Sequence, residues 1–477
     1  MEEEVKPPQE SQQFRNKGQV RGALRLSHQE AVASATMTGT NDNFLNAFAI
    51  YLQASALQMG WLTATPQLFG AMWQIVSVWL SSRLKRKPLV VATAFMQSLV
   101  VALMAVVAIG YGLGLLPNSR VILLILLAVG YHSCINIIQP HWRAWMGDLV
   151  PRSSRGRYFG VRSQLTMGSS LLVFMAGGAI LTLASASDRT WLGFAILFGV
   201  AALGRFISGT FLSRTYDPEP LHAVTTMRLR DSWLHIRESL RDPTFRRYSF
   251  FVASMQGAVA ISAPFFAVYL LRDLQFTYLQ FTINSIASIA TQFLMLGFWG
   301  RFSDRFGNHL VMVICSLFIP IIPLLWLVSP DPMYLILVQI VSGISWSGFT
   351  LSTANYLYDI RPHKTHFALF AAVQSGTSAL LVFCGGMFGG YLARHAPEIA
   401  DGLASYWQPA SDLFVVFIVT SICRALIAAW FLPRLTVPAI RPRPQVLQLV
   451  FRVARFNAIS GVVLDWMSVD SKRRDRH

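Results

Sequence analysis

Gly168-Ser-Ser-Leu-Leu-Val-Phe-Met-Ala-Gly177-Gly178 returns later in the chain as Gly376-Thr-Ser-Ala-Leu-Leu-Val-Phe-Cys-Gly385-Gly386. Each is an apolar run that opens on a Gly and closes on a Gly pair. Upstream, Asp148-Leu-Val-Pro151 is matched by Asp359-Ile-Arg-Pro362. Downstream, Gly204-Arg205 leading to Phe211-Leu-Ser-Arg214 is matched by Cys423-Arg424 leading to Phe431-Leu-Pro-Arg434. Three matches in the same order, at offsets of roughly 208 to 220, make the chain a tandem repeat of two halves. Internal duplication of this kind in an apolar chain is a transporter signature.

Composition places the chain in a membrane. Of its 477 residues 53% are hydrophobic and only 13% charged, and the mean hydropathy is +0.46. A soluble fold has no means of hiding that much apolar surface. Apolar runs of about 18 residues or more read as membrane spans. Twelve are expected, at roughly 29–51, 60–82, 88–113, 121–146, 160–183, 190–213, 247–271, 277–300, 309–329, 332–357, 366–391 and 410–433. The fold class expected is therefore an all-α membrane protein of two six-helix bundles, 29–213 and 247–433.

The remaining segments are polar. Residues 1–28 read as a cytoplasmic polar segment with no cleavable leader. The connector 214–246 holds Ser232-Trp-Leu-His-Ile-Arg-Glu-Ser-Leu-Arg241, an amphipathic helix expected at the membrane surface. The tail 434–477 is basic. Its apolar stretch from Val446 to Ile459 carries Arg452 and Arg455 at its centre, which favours a second interfacial helix over a thirteenth span.

The net charge of +17 sets orientation rather than a nucleic-acid partner. No basic stripe is interleaved with stacking aromatics. With the N-terminus inside, the outer loops hold only Arg120, Arg189, Arg272 and Arg394 of the 40 Lys and Arg. Arg143, Arg205 and Arg424 lie within spans, and the others fall on the inner side. Both termini are expected in the cytoplasm. Cys134, Cys315, Cys384 and Cys423 all lie in apolar runs without a CxxC pair, so they read as structural thiols, and no metal site or cofactor is expected.

Two loops carry a family resemblance. Gly300-Arg-Phe-Ser-Asp304-Arg305-Phe-Gly307-Asn308 resembles the signature loop of the major facilitator superfamily, with Asn308-His309 where a basic residue is usual. The matching loop of the first half, Ser81-Ser-Arg83-Leu-Lys85-Arg86-Lys87, has lost the Gly and the Asp and keeps only the charge. Asp148-Leu-Val-Pro151-Arg-Ser-Ser-Arg155-Gly156-Arg157 resembles the superfamily's loop after span four. Its counterpart after span ten keeps Asp359 and Pro362 but has His366-Phe367 in place of Arg-Gly. The resemblance covers residues 29–434 and is nearest to bacterial members, which implies a bacterial inner (plasma) membrane. It says nothing about the solute. It implies a cytoplasmic gate built from Asp148, Arg155, Arg157, Asp304, Arg305 and Asp359, whose charge pairs break as the halves rock apart. The same residues also serve as plain topology-setting loop charges. Span five lacks the Gly-Pro usual in the superfamily's drug–proton antiporters, which counts against that class.

Ionisable groups within a span cost roughly 2.5–3.5 kcal/mol on insertion scales and are therefore expected to serve function. Asp42 stands past the middle of span one. Thr38, Asp42 and Asn46 are four apart and share a face. A carboxyl that cycles between protonation states is what proton coupling needs. The alternative is an Asp42 hydrogen-bonded to its Asn neighbours near the outer interface. In span four His132, Asn136, Gln139 and Arg143 form one polar stripe interrupted by Pro140. His132 is a second candidate proton site, or a neutral hydrogen-bonding residue. Spans one, four, seven and ten line the superfamily's central cavity, so the resemblance puts this stripe in contact with solute. The second half offers Gln256, Asn284, Gln292, Trp346 and Asn355 as cavity residues, or as interhelical contacts.

The reading this supports is a secondary active transporter that moves a small organic solute, with a proton as the coupling ion and the lipid bilayer as its medium. A monomer suffices for that mechanism. The alternatives are an uncoupled facilitator and a non-transporting receptor or scaffold on the same fold. Amide, imidazole and a single carboxyl suit a polar solute, or a cationic one where Asp42 is ionised. No paired carboxylates, metal-spaced cluster, nucleophile motif or Walker sequence points to an enzyme.

Overall fold

The computed structural model describes residues 17–80, 85–150, 155–218, 241–360, 367–402 and 409–435. Over these it is helical, with no strand. In chain order the helices are α1 Lys17–Tyr51, α2 Ala56–Leu80, α3 Arg86–Gly112, α4 Arg120–Leu149, α5 Arg155–Ala186 and α6 Thr190–Arg214. The second half supplies α7 Pro243–Val268, extended by a π turn Tyr269–Asp273, then α8 Tyr278–Phe306 and α9 Asn308–Phe318 with a continuation at Ile322–Leu325. It ends with α10 Pro332–Asp359, α11 Phe367–Gly402 and α12 Leu413–Phe431. The amphipathic helices expected in the connector and tail lie outside the described residues.

Local chemistry starts and stops several of these helices. Asp242 caps α7 by accepting from the Thr244 backbone N–H at 2.8 Å, with Pro243 at the first helical position. Thr277 and Gln280 form a capping box on α8. Asp331 accepts from the Tyr334 N–H at 2.9 Å, again followed by Pro. Gly307 joins α8 to α9 at φ +90°, a conformation that favours glycine, so the signature-loop Gly is required by the turn itself.

Among the described residues ten helices are long and apolar enough to cross a membrane, and α1 and α2 are not among them. The reason lies in their polar content. α1 carries Glu30, Asn41, Asp42, Asn43 and Asn46, and α2 carries Gln58, Gln67 and Gln74. α1 also begins at Lys17, inside the stretch expected to be a polar segment, and α11 runs on to Gly402 past its expected end.

The packing repeats as the sequence does. α1 packs on α5 and α6 while α7 packs on α11 and α12; α2 packs on α4 while α8 packs on α10. The two halves meet chiefly through α2 with α11 and α5 with α8. The duplicated Gly pairs sit at the crossings. A Cβ on Gly177 would stand 2.5 Å from Phe44 of α1, and one on Gly385 would stand 1.9 Å from the Gly257 oxygen of α7. The next residue faces the other half: Gly178 opposes Thr282 of α8 at 2.4 Å, and Gly386 opposes Ala64 of α2 at 2.7 Å. Thus the first Gly of each pair packs within its half and the second packs between halves. Small residues allow this approach where lipid gives no hydrophobic drive for helix association.

Both inter-half crossings lie toward the end where α1 finishes and α2 starts. There one apolar core is continuous across the halves, with Phe48, Leu52 and Met59 of the first joined to Phe265, Tyr269 and Leu392 of the second. At the opposite end, rich in Arg and Lys, the core is split. One cluster around Trp145 and Met146 belongs to the first half and another around Tyr248, Trp299 and Tyr356 to the second. The bundle is sealed at one end and parted at the other.

Candidate functional site: a cavity in the first half

A cavity of about 960 Å³ occupies the parted end. Its wall comes from α1, α3, α4, α5 and α6, and Ile289 of α8 is its contact with the second half. Thr38, Asp42, Gln139 and Arg143, all expected at the site, line it. Asp42 is exposed, and the surface it exposes is cavity wall. The Tyr131 hydroxyl on α4 donates to its Oδ1 at 2.8 Å. Tyr131 itself is buried. Asn43 beside it donates to the Gly39 carbonyl at 2.9 Å and also lines the cavity.

The span-four stripe divides. Gln139 and Arg143 face the cavity, where an Arg143 Nη donates to the Gln139 side-chain oxygen at 2.9 Å. His132 and Asn136 lie outside the wall. Asn136 donates to the His132 carbonyl at 2.8 Å and packs against α2, where a Cβ on Gly70 would meet its amide nitrogen at 2.5 Å. Pro140 stands within the second pair, directly after Gln139. Asn46 also lies off the wall.

The second-half candidates do not join them. Gln339 of α10 donates to Asn284 of α8 at 2.9 Å, and Gln292 donates to Ser288 one turn back at 3.3 Å. Trp346 packs edge-on to Phe349. Gln256 and Asn355 are half-buried, and neither reaches the cavity. One of these contacts joins α8 to α10 and the other stays within α8, and none of these side chains lines the cavity.

Three charged groups that sequence reasoning did not assign to the site build its deepest polar feature. Glu30 of α1 is 3% exposed. Arg162 of α5 donates to one of its oxygens at 2.6 Å, while Ser208 of α6 donates to the other at 3.0 Å. Arg205 of α6 is 3.8 Å from that second oxygen and donates to Ser208 at 2.9 Å. Arg162 also donates to the Ser27 backbone oxygen, and its guanidinium lies over the Trp142 ring at 4.4 Å. Glu30, Arg162 and Arg205 all line the cavity. The available signal was three ionisable residues within or at the edge of expected spans one, five and six. Their pairing is long-range, and nothing in the local sequence reports it.

At the basic rim the loop residues form ties within each half. Arg86, first residue of α3, pairs with Asp148 at the end of α4, and its Nε donates to Asp217 at 2.8 Å. In the second half Asn308, first residue of α9, donates to Asp359 at the end of α10 at 2.8 Å. The halves therefore repeat one connection with different chemistry, and Asn308 takes the role of the basic residue that the loop lacks. Asp304 and Arg305 are exposed, and the Arg305 guanidinium lies 5.2 Å from the Phe306 ring centre. The side chains of Arg155 and Arg157 lie outside the described residues.

A sequence model of the Major Facilitator Superfamily matches residues 31–271 and again 248–469, one match to each half. The chain belongs to the major facilitator superfamily. It is thus a multi-pass membrane protein of a transporter family and not an enzyme. Among solved structures this superfamily member resembles a bacterial homologue of the human lysosomal transporter Spinster in an inward-facing, unoccupied conformation. Identity is 15% and the TM-score 0.62, over 87% of this chain and 97% of that one. It also resembles the nucleoside transporter NupG (14% identity, TM-score 0.59, 88% of this chain and 100% of that one). A variant of the peptide transporter POT is similar too (14% identity, TM-score 0.61, 87% and 95%). At such identities the likeness is one of fold. No curated protein matches the sequence.

Proposed function

We propose that this chain is a proton-coupled secondary active transporter of a small organic solute, working by alternating access. The observation that carries the reading is the cavity, sealed at one end by a core shared between the halves and open where that core divides. The concentration of Lys and Arg at the open end supports a cytoplasmic placement for it and for both termini, in a bacterial inner membrane. The cavity is then inward-facing. Rocking about the Gly crossings of α2–α11 and α5–α8 would part the sealed end and close the open one.

Asp42 is the proton carrier in this reading. Among the described residues it is the one carboxyl on the cavity wall that no Arg holds: Glu30 is bound by Arg162, whereas Asp42 accepts from neutral Tyr131. Water entering the cavity reaches it, and closure of that end would isolate it. His132, off the wall, is the weaker candidate for the role.

The test is a thermal-shift screen of the detergent-purified protein against metabolites at pH about 5.5 and about 7.5, since a ligand that binds only the folded state raises Tm with occupancy. Coupling through Asp42 requires a ligand whose shift depends on pH in the wild type and not in Asp42→Asn. A ligand indifferent to both pH and Asp42 would replace this reading with an uncoupled facilitator.

A further inference from the structure

The charges around the cavity do not balance. Glu30 lies between Arg162 and Arg205 and neutralises one of them. Arg143 bonds a neutral amide and forms no ion pair among the described residues. Two positive charges are thus left over against Asp42 alone. The wall is net positive when Asp42 is ionised, and more so when it is protonated. A cation would meet repulsion in either state, whereas an anion gains from Coulomb attraction strengthened by the low-dielectric surroundings.

The positions of the two arginines narrow the class. Arg143 is exposed into the cavity and keeps guanidinium N–H groups free beyond the one given to Gln139. Arg162 is held with its face on Trp142, one Nη on Glu30 and the other on Ser27, a fixed placement that costs little further ordering when a ligand binds and leaves it to act mainly through its charge. Trp142 links them, being the chain neighbour of Arg143 and the stacking partner of Arg162. Deeper in, Met37, Leu171 and Phe174 give the wall an apolar floor beside Asp42.

We infer that the solute is an organic anion, a carboxylate or phosphate monoester on an apolar body, with Arg143 and Arg162 recognising its charge. This rests on the transporter reading and deepens it: the anion sits toward the mouth, its apolar body reaches the floor, and Asp42 remains beneath it for the proton. The Arg143 guanidinium still presents paired donors that match a carboxylate or phosphate edge.

Four probes with one body test it: 1-naphthylacetate, 1-naphthyl phosphate, 1-naphthylacetamide and 1-naphthylmethylammonium. Each is added at millimolar concentration to the full-length protein in detergent. The two anions are expected to raise Tm by about 2 °C or more, and the amide and ammonium are not. Arg143→Gln, which breaks no ion pair among the described residues and should fold, is expected to abolish the shift. Equal shifts from the amide or ammonium, a shift that survives Arg143→Gln, or no shift from either anion would overturn the assignment. A neutral or cationic metabolite found to bind with a pH dependence set by Asp42 would end this inference and leave the transporter reading intact.

Discussion

Arg162 of α5 donates to Glu30 of α1 at 2.6 Å, and this contact between two helices of one half forms part of the cavity wall. Arg205 approaches the same carboxyl from α6. One buried acid therefore holds three helices of the first half in register. Removing it would leave the buried guanidinium of Arg205 and the largely buried one of Arg162 without a counter-charge.

Glu30→Gln is accordingly expected to lower stability by about 3–5 kcal/mol, the usual cost of breaking a buried pair from one side. Glu30→Gln combined with Arg205→Gln should recover part of that loss. Melting curves in a single detergent check both. A Glu30→Gln protein as stable as the wild type would show that the carboxyl does not organise the bundle.

The Gly crossings are expected to control conformation as well as stability. A Cβ at residue 60 would stand 2.5 Å from the Gly386 carbonyl oxygen and 3.0 Å from the Gly390 Cα, both backbone atoms. Gly60→Ala must therefore push α2 from α11, at a cost of about 1–3 kcal/mol. The strain falls only on the state in which this end is sealed, so the variant should shift the population toward the state open there. Labelling of an engineered cysteine at Met59, buried in the sealed end, measures the shift; unchanged labelling would contradict it.

The rim contacts should differ between the halves despite their common geometry. Arg86 pairs with two carboxylates and Asn308 with one, through a neutral amide. Arg86→Ala is expected to cost about 1.5–3 kcal/mol and Asn308→Ala about 1 kcal/mol. Denaturation of the two variants side by side reads the difference.

The duplicated glycines illustrate what was legible in the sequence. Gly177-Gly178 and Gly385-Gly386 disclosed the repeat, and they prove to be the points where each half packs on itself and on its partner. Asp42 was legible because a carboxyl in an apolar run stands out. The Glu30 cluster was not, since its members lie on three helices and their depths become equal only when the bundle forms. Arg162 read alone is one more basic residue at the edge of an apolar run. The second-half amides were legible as polar, but their placement was not: Gln339 donates to Asn284 across α8 and α10, which periodicity within one helix does not reveal. Arg424 shows the same limit. It matches Arg205 in the repeat, yet it donates to Ser262 at 2.9 Å and forms no ion pair among the described residues.

Alternating access can be measured directly by electron–electron distance measurements on two spin-label pairs, in a background with the native cysteines replaced. Gly160 of α5 and Gly300 of α8, both with open space at Cβ, report the parted end. Ser187 and Arg272, both exposed, report the sealed one. Alternating access predicts two populations at each pair, changing in opposite senses: when Gly160 and Gly300 approach, Ser187 and Arg272 separate, and Gly60→Ala increases that fraction. Single, invariant distances at both ends across pH and in Gly60→Ala would contradict a transporter and favour a static receptor on the same fold.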